Sequence, residues 1–235
     1  RHSHSSNALL LGVPVGVKDL MDTADMPTSY GSPIYAGHRP ALDAACVVAC
    51  RDAGMVVLGK TVTTEFATFK HGVTRNPRAP VGAPRTPGGS PSLDTVGAFA
   101  RSVDDVAFFV GALTRVNLDP QRQSALRVGI CHTPHWDLAS DDARRVLEHS
   151  ARQFEKVGAQ LHDLVLPASC DGLTQAQIQI MAYEAAAAFA PERQRQAEKF
   201  SPAFAQFLAL GQSLHGGDFA AAQLLAIAAR RALDA

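Results

Sequence analysis

"ALDAACVVACRDAGMVVLGKT", residues 41–61, decides the fold class. Small and apolar residues run as far as Gly54, and glycine ends helices because it adopts the left-handed backbone at no steric cost. From Met55 to Thr61 the apolar, β-branched residues follow one another without helical spacing, which reads as a short buried strand. Upstream, "LLLGVPVGVKDL" (9–20) reads as another strand. A strand, a helix and a strand in that order are the unit of a parallel sheet.

The unit recurs downstream. "LRVGIC" (126–131) is strand-like, residues 140–158 form a helical pattern capped by Ser140 and stopped by Gly158, and "AQLHDLVLP" (159–167) is again strand-like. After Pro167 the pattern changes to Ala-rich helices punctuated by Pro191, Pro202 and the pair Gly216 and Gly217. The spacing therefore predicts an α/β fold. Residues 1–10 are expected to form a disordered lead, and residues 168–235 a helical part that covers the sheet or a pocket. The loop-dense stretch is "TRNPRAPVGAPRTPGGSP", residues 74–91.

Composition narrows the function classes. Lys plus Arg and Asp plus Glu number 22 each, so no overall field draws in nucleic acid or an acidic membrane. No apolar run reaches the roughly 18 residues that a spanning helix needs. A cytoplasmic protein with a small-molecule partner is the expectation. Cys46 and Cys50, four apart on a helix, suit neither a zinc clip nor a disulfide framework and are expected to be buried apolar side chains.

Two motifs are set aside on mechanics. "GMVVLGKT" (54–61) fits the letters of a phosphate-binding loop, but that loop needs a strand before its first glycine and a helix after its lysine. Here a helix precedes Gly54, and the residues between the glycines are the strand. "HTPHWD" (132–137) offers two histidines and a carboxylate without a third ligand at a workable distance, so a polar loop with Trp136 partly buried is expected.

"GVPVGVKD" (12–19) carries more. Alternation along a strand puts Val13, Val15 and Val17 on one face and Gly12, Pro14, Gly16 and Lys18 on the other. Lys18 thus crosses a face with almost no side-chain bulk. A lysine crowded into such a site loses its proton more easily and becomes a usable general base. The plainer alternative is a solvated lysine at a strand end, loosely paired with Asp19.

In order and spacing, "GVPVGVKD" through "GKTVTTEFA", then "TRNPRAP", "RTPGGS" and "SLDTVGAFARSVDDVA" resemble successive blocks of the amidase signature family. The likeness is close over about residues 11 to 115. It implies a single domain over 1–235 with a mixed, mostly parallel sheet between helices. It also implies hydrolysis of a carboxylic amide through a Ser, cis-Ser, Lys triad, with no metal or other cofactor. On that resemblance Lys18 is the base and Ser90, after Gly88 and Gly89, is the cis-Ser that relays the proton. Phe66, Gly88 and Gly89 are expected next to the substrate.

The resemblance breaks at Ser90. Family members continue to a second Gly-Gly-Ser that supplies the nucleophile and its oxyanion donors, whereas this chain passes from Ser90 straight to "PSLDTVG". Only one Gly-Gly-Ser occurs in the 235 residues, so the nucleophile has no counterpart. Ser92 is a poor replacement, because Pro91 offers no N–H to an oxyanion. Two expectations follow: an amide hydrolase whose chain lacks its nucleophile segment, or a non-catalytic remnant that binds a ligand or a partner protein. Strands lost with that segment would leave sheet edges open to association, including with a second copy.

Overall fold

The structure, a computed structural model, describes residues 9–68, 93, 95–118 and 126–234. It forms two compact units, Arg1–Asp119 with Ile178–Phe219 and Pro120–Gln177 with Ala220–Ala235.

In the first unit β1 (Pro14–Lys18) leads to α1 (Ala45–Asp52), which returns the chain to β2 (Val56–Thr61). The two strands pair in parallel, as a strand–helix–strand crossover requires. Gly54 (φ +87°) takes the left-handed turn between α1 and β2 that its place in the sequence demanded. Pairing slips by one residue on β2 at Leu58, so Val15 faces Val57 while Gly16 faces Gly59, Val17 faces Lys60 and Lys18 faces Thr61. Val15 and Val17 turn inward as alternation predicts, and Val17 is buried. Val13, just before the strand, is exposed instead.

Leu10 corrects the expected disordered lead at its inner end. Its side chain is buried with Cys50 and Met55 under Phe109 and Leu113, and its N–H donates to the Ala53 carbonyl at 3.0 Å. Cys50 behaves as the buried apolar side chain expected of it, and burial pushes its thiol pKa up. Cys46 is half-buried.

α2 (Val103–Thr114) is capped by Ser102, whose hydroxyl accepts from the Asp105 N–H. The second unit repeats the crossover with β3 (Arg127–Cys131), α3 (Asp141–Lys156) and β4 (Gln160–Leu164), again parallel. Ser140 caps α3 and Gly158 (φ +84°) turns the chain out of it, both as read from the sequence.

Four helices follow: α4 (Leu173–Ala188), α5 (Ala190–Gln196), α6 (Pro202–Ser213) and α7 (Gly216–Leu233). Pro191 and Pro202 sit in first turns, where a missing N–H costs nothing. The main core of the first unit lies here, with Phe204, Phe207 and Leu208 of α6 against Ala182 and Ala185 of α4 and the rings of Phe66 and Phe200. Among the described residues no helix is long and apolar enough to cross a membrane.

Candidate functional site

The carboxyl ends of parallel strands are where open α/β sheets present their chemistry, and β1 ends on Lys18. The face around it is bare. A side chain at Gly59 would meet nothing within 4 Å, and one at Gly16 would meet only the Thr61 methyl group, at 3.0 Å. The expected bulk-free face therefore exists, but Lys18 is exposed on it, not crowded.

The chain leaving Lys18 folds back on the end of β2. The Asp19 N–H donates to the Thr61 carbonyl at 2.9 Å. The Asp19 carboxylate accepts from the backbone N–H and the hydroxyl of Ser29, and lies 3.5 Å from the Lys60 ammonium. Lys60 is fully engaged: its Nζ donates to the Met21 carbonyl at 2.5 Å, the Thr28 hydroxyl at 2.7 Å and the Thr23 hydroxyl at 3.3 Å. Both threonines are buried. With all three of its N–H groups spent on this loop, Lys60 has none left for a phosphate. Isothermal calorimetry with ATP and magnesium is expected to register no micromolar binding, and a saturable signal lost in Lys60→Ala would reverse this assignment of Lys60.

Beyond the loop, Tyr30 (φ +52°) and Gly31 (φ +69°) turn in the left-handed region. Glycine is required at 31, because a Cβ there would lie 2.5 Å from the Thr64 carbonyl oxygen. The Tyr30 hydroxyl donates to Asp22, and burial together with that carboxylate raises the tyrosine pKa. Tyr35 donates to Glu192, and its pKa is pushed up to about 12, again chiefly by burial and then by its carboxylate partner. Both hydroxyls thus stay protonated at neutral pH and serve as donors, not bases.

Glu65 is the residue that the sequence reading missed. It is fully buried, accepting from the Ser201 N–H at 3.2 Å and from the Ser32 hydroxyl at 3.4 Å. A single carboxylate thereby joins the turn at 32, the turn at 65 and the start of α6. Its sequence signal was faint, one acid inside "TVTTEFATF" (61–69). Phe66 beside it, expected next to the substrate, is a core residue: it is 5% exposed and its ring packs against Phe189 and Phe204. Its backbone is left-handed (φ +45°), which in this tight turn directs the ring inward.

Gly88, Gly89, Ser90 and Ser92 lie outside the described residues, so Lys18 and Phe66 are the candidate site residues whose surroundings can be given. In the loop at 132–137, His132 stacks edge-on against the half-buried Trp136 and the His135 Nε2 lies 3.0 Å from the Thr174 hydroxyl.

The amidase family matches residues 1–92, a match that ends two residues beyond Ser90. It begins earlier and ends sooner than the span of about 11 to 115 read from the sequence blocks. A component of the glutamyl-tRNA(Gln) amidotransferase of Acidothermus cellulolyticus is 45% identical over 185 residues, covering 68% of this chain and 36% of the relative. This chain thus spans little more than a third of that relative. The aligned stretch is longer than the part of this chain that enters it, so the relative carries residues with no counterpart here. The fold is similar to a crystal structure of an amidase (TM-score 0.79, 21% identity), covering 95% of this chain and 64% of that one. It is also similar to the same component of the glutamyl-tRNA(Gln) amidotransferase of Thermotoga maritima (TM-score 0.69, 17% identity), covering 100% of this chain and 67% of that one.

Proposed function

Through its first 92 residues this chain belongs to the amidase signature family, and from that premise we propose that it carries the base and the proton relay of an amide-hydrolysing site without the nucleophile. Lys18 is the base and Ser90 the relay. In the complete reaction, neutral Lys18 draws a proton through the Ser90 hydroxyl from an attacking serine. The carbonyl C–N bond breaks, the leaving amine takes that proton, and water then releases the acid from the acyl-enzyme. The relay requires the Lys18 amine within hydrogen-bond reach of Ser90, or one water away.

One observation carries this reading. Lys18 ends a parallel strand on a face cleared by Gly16 and Gly59, inside the segment that matches the family, and no described carboxylate lies within ion-pair distance of it. The substrate is a small carboxylic amide. Because the nucleophile has no counterpart after Ser90, this polypeptide alone does not turn amides over.

A second reading, a non-catalytic protein that binds a partner or a second copy, has its own support. Phe99, Val103 and Phe108 are 102%, 78% and 57% exposed, apolar surface in and just before α2 that no described residue covers.

Ammonia release from simple aliphatic and aromatic amides tests both readings, with Lys18→Ala and Ser90→Ala beside the unaltered chain. The expected result is no release above that of the two variants. Robust turnover abolished by either substitution would show that a nucleophile is present, with Ser92 the first serine to examine. Turnover unaffected by both substitutions would remove Lys18 and Ser90 from the site.

A further inference from the structure

We propose that Lys60 is a positioning residue for Lys18: it holds the Asp19 carboxylate on the opposite side of β1 and so keeps that acid from pairing with the Lys18 amine. The inference rests on the reading of Lys18 as a base, because a base must be free to take up a proton. Asp19, covalently next in line, is the carboxylate best placed to deny it that freedom. An ion pair would hold the amine protonated and occupy it.

The register shows how this is avoided. Paired residues of neighbouring strands share a face and successive residues alternate. Val17 pairs with Lys60 and Lys18 with Thr61, so the Lys60 side chain departs on the Val17 face while Lys18 takes the glycine face. Asp19 follows Lys60. Its carboxylate is 3.5 Å from that ammonium and is also held by the N–H and hydroxyl of Ser29. The side chains of Lys60 and Asp19 are 12% and 16% exposed, so the pair is shielded from solvent, whereas Lys18 is exposed. The same ammonium ties the loop at Met21, Thr23 and Thr28, which prevents Asp19 from swinging back. A lysine needed only to anchor the loop would have sufficient partners in those three oxygens. Its approach to Asp19 is the feature that bears on Lys18.

The test measures how freely the Lys18 amine reacts, without requiring turnover. The folded chain is trace-labelled with acetic anhydride, and the labelling of Lys18 relative to Lys156 is read by peptide mass spectrometry. Lys60→Met is expected to lower that ratio about threefold, the effect of a modest ion pair formed at a surface site. Asp19→Asn added to Lys60→Met is expected to restore it, and Asp19→Asn alone to leave it unchanged. A purely structural Lys60 would alter the stability of the chain but would not give this rescue.

An unchanged ratio in folded Lys60→Met, or a fall that Asp19→Asn does not reverse, overturns the proposal. Should Lys60→Met not fold, Lys60→Gln replaces it. Its amide N–H still serves the loop oxygens but carries no charge to hold Asp19, so the ratio is again expected to fall about threefold, and no change there overturns the proposal equally. Because the ratio is independent of amide cleavage, failure of the amidase reading in the ammonia assay and failure of this inference are separate results.

Discussion

Gly211→Ala is expected to destabilise the first unit by about 3 kcal/mol or more, at the upper end of what overpacking costs. A Cβ at 211 would stand 1.8 Å from the Ala182 carbonyl oxygen and 2.4 Å from its carbon, with the Ala186 methyl at 2.8 Å. These are mostly backbone atoms of α4, so no side-chain rotation relieves the clash and the two helices must separate. Separation pulls Phe204 and Leu208, 0% and 2% exposed, away from Ala182 and Ala185 and opens the core they fill. The urea midpoint reports the loss. Gly217→Ala is the control, since nothing lies within 4 Å of a Cβ there and alanine favours the helix by up to about 1 kcal/mol. Equal midpoints for Gly211→Ala and the unaltered chain would show that α4 and α6 are not in this contact.

Glu65→Ala is expected to cost about 3 kcal/mol, through two buried groups left without a partner. The Ser201 N–H and the Ser32 hydroxyl both donate to this carboxylate, and both serines are buried, so water does not replace it freely. Glu65→Gln keeps an acceptor oxygen of the same reach and is expected to cost only about 1 kcal/mol. The gap between the two substitutions is the informative quantity. If alanine and glutamine cost the same, the carboxylate's charge and not its acceptor geometry joins the three segments. If neither costs anything, Glu65 does not hold the start of α6.

These two positions also show where reading the sequence stopped short. Local rules governed the elements that were legible: Gly54 and Gly158 had to be left-handed turns, Ser140 supplied a cap, and period-two alternation put Val15 and Val17 inward with Lys18 outward. Gly211 sits inside a helix with no unusual backbone angle to betray it. The need for glycine there comes from α4, more than twenty residues earlier. Glu65 and Lys60 were unreadable for the same reason, since their partners lie 136 and up to 41 residues away.

By itself, then, the sequence determined the α/β class, the two parallel crossovers, the family of the first 92 residues and the placing of Lys18 on a bare strand face. Each of these depends on residues within a few positions of one another, where backbone sterics and side-chain periodicity suffice. Tertiary structure alone decided that Phe66 belongs to the core, that Leu10 is buried, that Asp19 pairs with Lys60 and not with Lys18, and that Glu65 joins three distant segments. Burial and pairing are properties of what the rest of the chain brings alongside a residue. A lysine after a glycine or an acid among threonines has no fixed partner until the loop closes over it.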